Sequence, residues 1–520
     1  MPTRMLLAAL AAILPLRAAT VPYRAWQFHK LDTAYVAGAM KLAAKYDVNT
    51  VVFSHGMIGA TSQLFDGTDR GARLRELARQ ARGLGLRSWI WVHELDNVPK
   101  PFLQGKAVQM DRPGFGEWLT ARYEELFKTY PEFDGVMLTF HETQYKIFDN
   151  RQVQSSLGMP ERFARMINLI DAVCRRHKKD FIVRSFLYEP EQMQWFKDGY
   201  RKTGAHVMVL TKCEPHDWDP YYPHDPLIGA FPDRKQIIEF DGSSEFTGKN
   251  RIPYASPGYF EHRWRYDLKQ PGVVGYNVRL DHAGYDALYT PNEINIYTLY
   301  RLTADPKITG ERIWKEWTLL RYGAGAAPKV EAVLRPSFEA VNKAFFPLQF
   351  WITDHSRLPK MDYAVGHISS RTMAKWYPDK PEYKVLEEKL QHPDPALVDR
   401  IVKEKEEAIA LARKSMAALA AARPYMKPEQ YEDLRWRVEL LERTARIWRL
   451  HAEAMFGYLS LAEGRNAPGL VERVRKAIEG LYREAEISAR DPRIGNDPPG
   501  SAKEIRAVAD ELKQKMDALK

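Results

Sequence analysis

Glu142, Asp217 and Glu245 are the residues of this chain best placed to move protons. Each stands just beyond a short apolar run, in the stretches TFHE, TKCEPHD and EFDGSSE. Hydrolysis of a glycosidic bond needs a protonated carboxyl beside the leaving oxygen and a carboxylate working from the opposite face of the sugar. Glu142 can supply the first, and Asp217 with Glu245 the second. Two carboxylates flanking one water suit inversion at the anomeric carbon, for which acid and base stand about 6.5–9.5 Å apart. Each residue alone also has a plainer reading. Glu142 could pair or cap, Asp217 could bond its own backbone in a Pro-rich turn, and Glu245 after two serines could be the acid that opens a helix.

Such groups must be held on a scaffold, and the chain offers one. Eight short β-branched or aromatic runs begin near Tyr23, Thr50, Leu86, Phe133, Asp180, His206, Gln236 and Gly272. Amphipathic segments alternate with them, among them Ala34 to Lys45, Ala72 to Leu84, Phe115 to Lys128 and Pro160 to Arg176. This alternation predicts a βα-repeating α/β fold, and eight strands in this length suit a (β/α)8 TIM barrel, with a doubly wound sheet as the alternative. In such a barrel the site lies at the C-terminal strand ends. The residues at the ends of these runs are strongly polar: His29, His55, His93 and Glu94, His141 and Glu142, Arg184, Lys212 and Asp217, Glu245, and then Asn277, Arg279, Asp281 and His282. His141 and Asn277 are expected as sugar contacts. No HExxH pattern and no close His and Cys cluster is present, so neither a metal nor a cofactor is expected.

Beyond Ile308 the strand pattern gives way to helical periods over Gly310–Arg321, Lys329–Ala344, Pro395–Ala422, Pro428–Ala462 and Leu470–Ala489, with a further surface helix in the tail after Pro492. The expected organisation is a leader over 1–19, a barrel over 20–307 and a helical C-terminal domain over 308–520. The stretch from Phe345 to Glu382 has no clear period and is long for a connection. It either wraps between domains or returns over the barrel mouth with Trp351 and His355, and Trp351 is then expected to stack on a sugar.

The N-terminus, with Arg4, an apolar run from Leu6 to Leu16 and Ala18-Ala19, has the form of a secretory signal. A secreted or periplasmic protein without a membrane span is therefore expected. Only Cys174 and Cys213 are present, and the sequence leaves their pairing open. The net charge of +10 is spread over interleaved Lys, Arg and Glu, which reads as a solvated helical surface or as attraction for an acidic polysaccharide. No basic run suggests nucleic acid.

Four stretches resemble the catalytic part of glycoside hydrolase family 67, the α-glucuronidases that remove glucuronic acid or its 4-O-methyl ether from xylan fragments. They are FDGVMLTFHETQ from Phe133, KCEPHDWDP from Lys212, IIEFDGSSEFTG from Ile237, and the segment from Asn292 to Gly323. VRSFLY from Val183 looks like that family's fifth strand. The resemblance implies Glu142 as general acid, Asp217 and Glu245 as the base pair, and Arg184 and Lys212 as substrate contacts. It also implies an inverting, exo-acting hydrolase of oligosaccharide or polysaccharide, and a homodimer through the C-terminal helices. Leu138, Thr139, Phe140 and His141 stand where the family carries a lysine. The alternatives kept beside it are a glycosidase for another α-linked sugar and a catalytically inactive glycan-binding barrel.

Overall fold

The computed structural model describes residues 21–282 and 285–519. The expected signal segment, 1–19, lies outside the described residues. Eight parallel strands close into a barrel in chain order: β1 (Tyr23–Phe28), β2 (Thr50–Phe53), β3 (Arg87–His93), β4 (Gly135–Thr139), β5 (Asp180–Arg184), β6 (Met208–Lys212), β7 (Gln236–Asp241) and β8 (Val273–Arg279). All eight expected runs are strands. The barrel closes where β1 meets β8, with Tyr23 opposite Gly275 and Gln27 opposite Arg279.

Side chains alternate across each strand. Tyr23, Ala25, Val52, Trp89, Trp91, Met137, Ile182, Met208, Leu210 and Ile237 fill the barrel interior as one apolar cluster. Their neighbours, such as Trp26, Phe28, Ile90 and Val92, face the surrounding helices. Those helices are α1 (Thr33–Ala43), α2 (Arg70–Gly83), α3 (Phe115–Thr129), α4 (Met159–Arg176), α5 (Pro190–Tyr200), α6 (Pro257–Asp267) and α7 (Glu293–Ala304). Local chemistry sets their starts: Asp32 accepts a hydrogen bond from the Tyr35 N–H at 3.1 Å to cap α1, and a capping box of Glu189 and Gln192 opens α5.

The sixth crossover breaks the βα pattern. Residues 213–235, between β6 and β7, contain no helix. Pro215, Pro220, Pro223, Pro226 and Pro232 are spaced too closely for one to form. Asp219 and Asp225 instead fold the segment into turns by accepting from the backbone two residues ahead, each at 2.8 Å.

A helical region succeeds the barrel: α8 (Gly310–Tyr322), α9 (Ala327–Leu334), α10 (Ser337–Phe345), α11 (Met361–Ser370), α12 (Pro381–Gln391), α13 (Pro395–Ala422), α14 (Pro428–Ala462), α15 (Leu470–Ala489) and α16 (Ala502–Ala518). The single helix expected over Lys329–Ala344 is two, because Pro336 cannot donate in a helix interior and instead stands at the start of α10. The stretch from Phe345 to Glu382, without visible period in the sequence, holds α11. No described helix is long and apolar enough to cross a membrane. Cys174 and Cys213 are both buried and free.

Candidate active site

The C-terminal strand ends surround a cavity of about 230 Å³. Glu142, Asp217 and Glu245 all line it, from the loops after β4, β6 and β7. Arg184, Lys212, Arg279 and Arg371 bring four cations to the same wall.

The two later carboxylates are held hard. Asp217 receives the Lys212 ammonium on Oδ1 and the Arg371 guanidinium on Oδ2, the latter at 3.2 Å. Glu245 receives Arg279 on Oε2. Its Oε1 faces His355 Nδ1 at 2.7 Å and His282 Nε2 at 3.4 Å. Burial would push both carboxyls up. For Asp217 the nearby Lys212, His216 and Arg371 outweigh burial and hold the group below the usual carboxylate range. For Glu245 the same is done by Arg279, His282 and His355. Both are carboxylates at neutral pH.

Glu142 differs. Its side chain lines the cavity and is 41% accessible, against 13% for Asp217 and 6% for Glu245. Its one charged partner is Arg184, whose Nη1 stands 3.3 Å from Oε2. Arg184 is itself committed to the fully buried Glu239, at 2.8 Å from Nε. Desolvation by the surrounding protein outweighs Arg184 and raises the Glu142 carboxyl.

Backbone geometry aims these groups. His216, immediately before Asp217, has φ +63°, and Ser244, immediately before Glu245, has φ +53°. Non-glycine residues in that left-handed region cost of order 1–3 kcal/mol each and persist where the surroundings impose them. Asp241 accepts the Glu245 N–H at 2.8 Å. On the other side of the mouth, Gly56 passes so close to His29 that a Cβ there would stand 2.5 Å from the His29 carbonyl oxygen. Ser54 Oγ is 2.6 Å from His29 Nδ1. Burial pushes the imidazoles of His29 and His55 down, and those of His93 and His282 to about 4.

Of the sequence-selected residues, Glu142, Asp217, Glu245, Arg184 and Lys212 converge on the cavity. His141, Asn277 and Trp351 do not reach its wall. His141 is buried against Phe148 and Tyr188. Asn277 points into the barrel and donates to Gln27. Trp351 is buried behind the wall, packing edge-on to Phe246 at 4.6 Å and lying under Arg371 at 5.3 Å. The aromatic faces that do line the cavity are Phe186, Tyr188 and Phe246.

The segment after Phe345 does return over the mouth, and it carries more than the sequence suggested. His355 meets Glu245, while Arg371, at the C-terminal end of α11, joins Asp217 to Asp354, whose Oδ1 is 3.4 Å from Nη2. Tyr222 pins this segment by donating to the Arg371 carbonyl at 2.6 Å. Arg371 and Asp354 lie in a stretch without period, so the sequence carried no signal for them. Arg279 and His282 were legible as strand-end residues.

No family model matches this chain, and no curated protein sequence is similar to it. Solved structures are similar in fold. A GH138 enzyme targeting pectin rhamnogalacturonan II superposes with a TM-score of 0.61 at 12% identity, covering 96% of this chain and 68% of that one. A family GH115 4-O-methyl-α-glucuronidase with specificity for decorated arabinogalactans gives 0.51 at 11% identity, over 96% of this chain and 62% of that one. The chain has the fold of these glycoside hydrolases. The likeness is to that barrel fold with its helical part, and not to family 67 in particular.

Proposed function

We propose that this protein is an inverting, exo-acting glycoside hydrolase for an α-linked acidic sugar, with Glu142 as general acid and Asp217 and Glu245 as the basic side. The observation that carries this reading is the opposite perturbation of carboxyls around one cavity: Glu142 raised, Asp217 and Glu245 lowered. Pairs of carboxyl groups pushed apart in this way divide into a proton donor and a proton acceptor. Glu142 protonates the leaving oxygen, and a water on the far face of the sugar loses its proton to the ionised pair.

The cavity size favours a single terminal sugar, since 230 Å³ is below the roughly 300–1,000 Å³ of pockets for larger ligands. Protonating Glu142 also frees the Arg184 fork on that side. Arg184, with Lys212, can then receive a uronate carboxylate or the hydroxyls beside it. The fold shared with a 4-O-methyl-α-glucuronidase, and the motif order from Phe133 to Gly248, support the choice of a uronic acid.

The test is release of sugar from uronic-acid-branched oligosaccharides set against neutral α-glycosides, with the product anomer read by proton NMR. The β-anomer as first product and preference for the uronate support the reading. An α-anomer first product removes inversion, equal rates on neutral sugars remove the acidic substrate, and unchanged turnover in Glu142→Gln removes Glu142 as acid.

A further inference from the structure

The geometry points to a divalent transition-metal site formed by Glu245 Oε1, His282 Nε2 and His355 Nδ1 at the cavity wall. One donor atom from each of these three residues lies within 4.8 Å of the other two. Two imidazoles and one carboxylate are a donor set for Zn²⁺ and its neighbours in the first transition row, and a poor one for Ca²⁺ or Mg²⁺, which take oxygen. A tetrahedral zinc holds ligand atoms at about 2.0–2.1 Å and so about 3.4 Å apart. The Glu245–His282 pair already has that spacing, at 3.4 Å, and the Glu245–His355 pair is tighter, at 2.7 Å.

The three donors converge without bonding one another. His355 Nδ1 is buried and approaches Glu245 Oε1 at 2.7 Å without a well-formed hydrogen bond. Glu245 keeps Oε1 free for this point because Arg279 takes Oε2. Ligating carboxylates are commonly fixed through their second oxygen in this way.

The backbones that carry the ligands are tied together as well. Ser356 Oγ donates to the Glu245 carbonyl at 2.9 Å and accepts from the Gly248 N–H at 2.8 Å, locking the His355 loop to the Glu245 loop. Asp281, next to His282, accepts the His29 and Lys30 N–H groups at 2.9 and 2.8 Å, which fixes the end of β8 to the end of β1. His355 and Ser356 both hold left-handed backbones, with φ +56° and +58°. Of the cavity's cations, Arg184, Lys212 and Arg371 face carboxylates other than Glu245, and Arg279 alone shares Glu245 with the site.

Three protein ligands leave coordination open toward the cavity, the pattern of an ion that meets a bound molecule rather than of a closed structural site. The site does not rest on the glycosidase reading. An ion here would occupy Glu245 and leave Asp217 as the remaining base, so binding and not turnover is the readout.

The experiment is titration of the chelator-stripped full-length protein with Co²⁺, monitored by visible absorption, and with Zn²⁺ by calorimetry. The expected result is one equivalent per chain, with ligand-field bands that Zn²⁺ abolishes and millimolar Ca²⁺ or Mg²⁺ does not. His355→Ala, on an accessible loop, and His282→Ala should each weaken Zn²⁺ binding 100-fold or more, and Arg279→Lys by about 10–100-fold as an outer partner. No stoichiometric binding by the wild-type protein, or binding unchanged in both histidine variants, overturns the site.

Discussion

The two sides of the cavity are built from the same functional group and treat it oppositely. Asp217 and Glu245 sit on loops whose backbone is forced into left-handed turns, and each meets at least two cationic or imidazole groups. Glu142 has one guanidinium at 3.3 Å, and that guanidinium is shared with Glu239. The difference shows that burial by itself does not decide the protonation state of a cavity carboxyl. The number of positive partners in contact decides it.

The widest gap between the two sides should lie in how each depends on the leaving group. Glu142→Gln is expected to lose about 10²–10⁴-fold in kcat on natural linkages, the usual worth of a positioned acid. It should recover most of that on aryl glycosides whose leaving group needs no proton. Asp217→Asn should show no such recovery, because water activation is required for every leaving group. Steady-state rates over a series of aryl leaving groups separate the two, and recovery in both variants would erase the distinction.

Stability should separate them next. Asp217→Asn leaves the buried Lys212 without its counter-charge and is expected to cost about 3–5 kcal/mol in urea unfolding at neutral pH. The pH dependence has opposite sign on the two sides. The folded-state pKa of Asp217 is below its unfolded value of about 3.9, so its contribution is present above that pH and is lost as pH falls toward the folded pKa. The folded-state pKa of Glu142 is above its unfolded value of about 4.3, so stability is lost as pH rises from there through the raised pKa. Glu142→Gln should therefore stabilise the protein near neutral pH while it disables it. Melting temperatures from pH 4 to 8 check this, and a destabilised Glu142→Gln would mean that the Arg184 contact outweighs burial.

The activity profile should be bell-shaped for the same reason, falling at high pH as Glu142 ionises and at low pH as the basic pair takes up protons. Arg184 opposes the rise of Glu142, so Arg184→Met should move the alkaline limb of kcat/KM to higher pH. The smallest effect is expected from Lys375→Ala, which removes a partly exposed pair with Glu189 on the returning segment, 2.6 Å long. A loss of less than about 1 kcal/mol is expected from a pair of that exposure. A larger loss would show that this pair, rather than Tyr222, anchors the segment that brings Arg371 to Asp217.

Periodicity in the chain sufficed for the barrel, because strands alternate every two residues and helices every 3.6, and both signals are local. All eight strands and the long helices from Pro395 to Ala489 arise from it. The exceptions to that periodicity, the crossover with five prolines between β6 and β7 and the break at Pro336 in the helix expected over Lys329–Ala344, emerged only in the structure. Glu142, Asp217, Glu245, Arg184 and Lys212 were legible because each stands at a strand end, and a barrel gathers strand ends at one mouth. Trp351 and Asn277 show the limit of that reasoning, since position near the mouth does not fix which way a side chain turns.

Residue identity and spacing thus determined the scaffold and which carboxyl groups could meet. Only the tertiary structure decided what each of them is. Whether a carboxyl holds its proton depends on how many positive groups lie within a few ångströms, and the ones that matter come from remote parts of the chain: Arg279 for Glu245, Arg371 for Asp217, and Glu239 competing for the arginine beside Glu142. The meeting of Glu245 with His282 and His355 is of the same kind, because three loops far apart in sequence have to close on one point before their donor atoms can share it.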